Sequence, residues 1–72
     1  MKVYVLNAII NNQNIKSKVF ESREKACRYL SKILDDHNLE VEDIVYRNNK
    51  HNQEFICNQY NIISINREIV NF

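Results

Sequence analysis

Hydrophobic and polar positions along the chain change period twice, and the changes mark out the elements. Residues 2–10, KVYVLNAII, are dense in β-branched and aromatic side chains and read as a strand. Asn11-Asn12-Gln13-Asn14 is a polar turn, and Ile15–Phe20 alternates well enough for a second strand, so the two predict an antiparallel hairpin. From Ser22 the period lengthens to that of a helix. Ala26, Leu30, Ile33, Leu34 and His37 fall at i, i+4, i+7, i+8 and i+11, with Cys27 and Tyr29 beside them. Lys25, Arg28, Lys32, Asp35 and Asp36 take the opposite face. Ser22 suits an N-cap, Glu24 suits the positive end of the helix dipole, and Asn38 suits a C-cap. The expected helix spans about residues 23–37, with His37 partly buried where it closes the core.

Beyond a connection at Leu39–Glu42 the shorter period returns. Strands are expected at Asp43–Arg47, Gln53–Cys57 and Tyr60–Asn66, the last prolonged or bent away over Arg67–Val70, with a polar tip at Asn48–Asn52. The order is ββαβββ. The fold class is therefore α+β: an antiparallel sheet of four to five strands with one amphipathic helix on one face. The whole chain, 1–72, reads as a single domain.

One helix covers one face of a sheet, and the strands alternate too poorly to leave the other face polar. Tyr4, Leu6, Ala8 and Ile10 form one apolar set, assigned to the helix side. Val3, Val5 and Ile9 point the other way, interrupted only by Asn7, and Val45, Ile56, Tyr60 and Ile62 are expected to join them. Gathered on one face, they would form an apolar patch larger than a soluble monomer usually exposes. A second copy of the chain or a target protein is expected to cover it, with Tyr60 as an anchor.

Length limits what else the chain can hold. A domain of 72 residues buries only about 60% of its unfolded surface, leaving no room for a second module. No apolar run approaches the ~20 residues of a membrane span, and the N-terminus lacks a signal-peptide core. Two cysteines, Cys27 and Cys57, are too few for a secreted disulfide framework. A reducing, cytoplasmic setting is expected, with both thiols acting as small buried apolar groups.

Glycine, proline, threonine and tryptophan are absent, whereas Asn occurs 12 times and Ile 10. The bias follows AT-rich codons and points to a low-GC bacterium or its phage. Without glycine, turns that need positive φ fall to Asn, at Asn11-Asn12, Asn48-Asn49, and Asn58 and Asn61. The same absence excludes the Gly-rich phosphate loops of the familiar nucleotide-binding enzymes.

Candidate chemistry is thin. Cys27 and His37 lie ten residues apart on one helix, about 15 Å along its axis, too far to share a zinc ion. His51 and Cys57 lack the close pairing of a metal site. Asp35-Asp36 and Glu42-Asp43 look solvated, so neither an enzyme nor a cofactor is expected. Charge is distributed more unevenly than the total of +1 suggests. Seven Lys/Arg and two Glu in residues 1–32 give +5, and five acids in residues 33–46 give −5. Arg23, Lys25, Arg28 and Lys32 climb the helix against the preference of its dipole, a basic patch suited to phosphates or an acidic partner.

The opening strand KVYVL, the junction VFESREKACRYL and the closing stretch EFICNQYNIISINREIV together resemble small phage and mobile-element proteins. In layout and composition the chain is similar to anti-CRISPR and other anti-defence proteins. The resemblance implies a protein that blocks a host protein or ribonucleoprotein complex by stoichiometric contact. A small nucleic-acid-binding regulator using the basic helix face is the alternative.

Overall fold

The computed structural model describes residues 1–47 and 51–70. Two strands, β1 (Lys2–Ile10) and β2 (Gln13–Phe20), precede one helix, α1 (Arg23–Asp36). Three more follow: β3 (Asp43–Tyr46), β4 (Asn52–Asn58) and β5 (Asn61–Ile69). They form one five-stranded sheet in the order β2-β1-β5-β4-β3, every neighbouring pair antiparallel. The chain is thus α+β with one helix, as its periodicity predicts.

Helix α1 starts where the sequence expects. Ser22 sits in extended geometry (φ −142°, ψ 153°), and its Oγ accepts a 3.2 Å bond from the Lys25 N–H. Ala26, Leu30 and Ile33 are buried against Leu6, Ala8, Ile10, Phe55, Ile63 and Ile65. Leu6, Ala8, Ile63 and Ile65 have no exposed surface, so the core centres on β1 and β5, two of the three inner strands, with Phe55 of the third, β4, beside them. At the other end His37 is the C-cap and Asn38 takes φ 55°. The Leu39 N–H then donates to the Leu34 carbonyl at 2.8 Å and the Asn38 N–H to Asp35 at 3.2 Å. That is a Schellman ending, with Asn in the place glycine usually fills. Leu34 and Leu39 pack on the core beside it.

His37 is exposed rather than part of the core. It shares the helical angle of Ala26 and Ile33, but the helix terminates there. Cys27 is likewise half-buried, and only Cys57 is buried.

Asparagine replaces glycine at the turns. Asn11 and Asn12 both have positive φ, 54° and 64°, the two-residue turn that suits the twist of a hairpin. The β1–β2 connection is therefore shorter than the expected four-residue turn, and β2 begins at Gln13. The Asn11 N–H donates to Asn61 Oδ1 at 2.9 Å, and the Asn12 N–H to the Tyr60 carbonyl at 3.1 Å. Asn58 Oδ1 accepts from the Tyr60 N–H and from Asn61 Nδ2. The first hairpin is thus tied to the last turn by one side-chain amide, that of Asn61, and one backbone bond. Asn48-Asn49 lies outside the described residues, and Asn52 belongs to β4 rather than to a polar tip.

Candidate functional site

Strand parity sorts the sheet into two faces. Val3, Val5, Asn7 and Ile9 of β1 alternate with the core residues Leu6, Ala8 and Ile10, so they face away from α1. Cross-strand register aligns their neighbours. Ile9 lies opposite Ile62, and Ile62 opposite Ile56. Val5 lies between Val19 and Asn66. Asn7 pairs with Ser17 and Ser64, Ser64 with Glu54, and Glu54 with Val45.

The uncovered face is consequently banded. An isoleucine row, Ile9–Ile62–Ile56, crosses three strands at one end, and Val3, Val5 and Val19 gather at the other. Between them runs the polar row Ser17–Asn7–Ser64–Glu54, with Glu54 ion-paired to Arg47. The single large patch expected from the sequence is therefore two smaller ones. Alternation within β1 places Val3, Val5 and Ile9 with Asn7 between them, but only register shows that Asn7 belongs to a polar row across the sheet.

Val3, Val5, Val45, Ile56 and Ile62 are half-buried, and Ile9 is 39% exposed. Tyr60 is not on a strand. It occupies the β4–β5 turn, 49% exposed, at the end where the isoleucine row lies.

The four helix bases do not make one patch. The Arg23 guanidinium donates to Gln53 Oε1 on β4 and lies 3.4 Å from Cys27 Sγ. Lys25 is paired with Glu21, which precedes the N-cap, and Arg28 with Glu24, an acid four residues before its base within α1, the favourable orientation on a helix. The Lys25 ammonium, hydrogen-bonded to Glu21, holds that carboxyl below its ordinary range.

Two lysines that the helix pattern misses come from β2. Lys18 Nζ lies 5.7 Å from the Phe20 ring centroid and 4.7 Å from that of Tyr29, and those rings are 5.5 Å apart. Lys16 is two residues back on the same face of β2. Lys25 and Lys32, four before and three after Tyr29, share the helix flank turned towards β2. The alternation of Lys16, Lys18 and Phe20 was the signal available for finding this grouping.

Where the end of α1 meets β4, an open cleft of about 360 Å³ is lined by Asn38, Leu39, Glu40, Glu42, Cys57 and Asn58. Burial pushes the Cys57 thiol up from its ordinary range, and the Glu42 carboxylate adds to the shift. A raised pKa means less thiolate at neutral pH, and the thiolate is the reactive form. Alkylation of Cys57 by iodoacetamide in the folded protein should therefore be slow at pH 7 and accelerate as pH rises. Mass spectrometry after tryptic digestion reads the rate at each cysteine. Rapid labelling of Cys57 at pH 7 without unfolding would contradict that assignment.

Among the described residues, no three His, Cys, Asp or Glu side chains are grouped to hold a metal ion. No helix among them is long and apolar enough to cross a membrane. No protein-family model, curated protein or solved structure matches the chain.

Proposed function

We propose that this chain is a binding protein that inhibits a host protein or ribonucleoprotein complex by stoichiometric contact, in the cytoplasm of the host cell. It acts by occupying a surface rather than by chemistry. Its sharpest form is a phage-encoded anti-CRISPR protein. The isoleucine row on the face that α1 leaves uncovered carries the reading, because it sets branched apolar side chains on the firmly paired strands β1, β5 and β4. Tyr60 stands at the same end as a large amphipathic anchor. The layout of the chain, similar to that of anti-defence proteins, supports the inhibitory role.

The nucleic-acid alternative draws less support from α1. Glu21 and Glu24 offset Lys25 and Arg28, and Arg23 turns to β4.

The variant Ile9→Asn with Ile62→Ser tests the docking face. It repeats the existing cross-strand pair Asn7–Ser64 one row along, so the sheet already accommodates that pairing. The variant should keep a cooperative thermal transition. Wild type should restore phage plaquing on a low-GC host with active CRISPR immunity and co-purify with a host complex, whereas the variant should do neither. Full activity in the folded variant would move the contact off this face. A wild type that restores nothing and captures nothing would end the inhibitor reading. Sedimentation of the free protein separately reads whether a second copy covers the face.

A further inference from the structure

The long border of the sheet is β2. Every residue from Gln13 to Val19 is exposed, and only the inner side of the strand is paired, to β1. Edge strands offer unpaired N–H and C=O groups to any extended chain that fits alongside. The two flanks of this one differ in chemistry. On the helix side stand Lys16 and Lys18, with Lys18 held over the Phe20 and Tyr29 rings. Lys32 lies behind them on α1, beside Lys25, whose charge Glu21 offsets. On the uncovered side are Ser17 and Val19, and Ile15 is the extra residue where the β1–β2 register shifts. Among the described residues no acidic side chain is paired with Lys16, Lys18 or Lys32.

We propose that the β2 border takes up an extended segment of a partner protein as an added strand, and that the segment alternates acidic and apolar side chains. Resting on the reading of the chain as a protein-binding module, this names the partner's chemistry at a second surface. An added strand presents successive side chains to opposite faces. Those on the helix side meet the lysines, so carboxylates fit there. Those on the other side meet Val19 and Ile15, so aliphatic groups fit there. A second copy of the chain is the wrong occupant, because pairing β2 with β2 would bring both sets of lysines together, and like charges across a ladder destabilise it. Lysines on an edge strand thus guard against self-pairing while admitting an acidic strand.

The probe is a fluorescein-labelled, end-capped peptide of four Glu-Val repeats, titrated with the full chain in low salt and followed by anisotropy. Binding is expected, with slower amide exchange along β2 in nuclear magnetic resonance spectra. Lys16→Glu with Lys18→Glu should weaken it by about tenfold or more. In an extended peptide all Glu N–H groups point to one edge and all Val N–H groups to the other. N-methylation of all Glu or of all Val should therefore abolish binding in one case and spare it in the other. Equal binding of both methylated peptides, or binding without slower exchange in β2, would reduce the site to charge attraction and overturn the proposal. So would failure of the peptide to bind while a twelve-residue oligothymidylate binds through the same lysines. The Ile9→Asn, Ile62→Ser variant should bind the peptide as wild type does, so loss at the isoleucine row and loss at β2 are read separately.

Discussion

Replacing Leu30 with aspartate is expected to abolish the cooperative thermal transition seen by circular dichroism at neutral pH. Leu30 is 6% exposed and belongs to the cluster of Ala26 and Ile33 with the floor of the sheet. Truncation to alanine there would cost about 2–5 kcal/mol through lost burial and a cavity. A carboxylate adds the penalty of desolvating a charge with no partner, several kcal/mol more. A domain of this length holds only about 4–11 kcal/mol in all, so the sum exhausts it. Ser31→Asp, one residue along on the exposed side, is the control and should change stability by about 0.5 kcal/mol or less. A near-native transition in Leu30→Asp would mean that a different stripe of α1 faces the sheet.

The second large effect is expected at Asn61, a buried polar side chain, 7% exposed. Its Oδ1 is the acceptor for the Asn11 N–H, and its Nδ2 reaches Asn58. Asn61→Leu keeps the branching at Cγ and the number of heavy atoms and removes both bonds. The Asn11 amide then loses its partner in a part-buried place, and each such orphaned group costs about 1–3 kcal/mol. Chemical denaturation should show a loss of about 2–4 kcal/mol, and exchange at the Asn11 amide should rise more than at amides of mid-β1. A loss below about 0.5 kcal/mol would show that water replaces the side chain without penalty.

Local physics made most of the elements legible. Residues 2–10 carry a strand composition and are β1; the spacing of Ala26, Leu30 and Ile33 matches the buried stripe of α1. Where local signals are ambiguous, boundaries moved. Gln13 and Asn14 look like loop residues, yet two consecutive Asn in positive φ close a hairpin in two residues and release both into β2. His37 has the right angle for the core and the wrong height. Weighing Arg23, Lys25, Arg28 and Lys32 against the helix dipole overlooks Glu21 and Glu24, each four residues before a base.

The candidate surface was legible in part. Parity along β1 separates Val3, Val5 and Ile9 from the core, because it needs only neighbouring residues. The division by Ser17–Asn7–Ser64–Glu54 depends on three pairings across four strands, and the β1–β5 pairing joins residues about sixty apart in sequence. No local rule fixes that register.

The same pairing sets a timetable for the ribosome. β1 is made first, and β5, its partner along Lys2–Ile9, is made last. While translation proceeds, the hairpin and helix can associate, but Leu6 and Ala8 lack the half of their floor supplied by Ile63 and Ile65. Until β5 docks, β1 and β4 each keep one edge open, the condition in which newly made chains aggregate or engage chaperones. Docking of Asn61–Ile69 fills the one gap that both edges share, so assembly of the sheet is closer to a final insertion than to a gradual accretion.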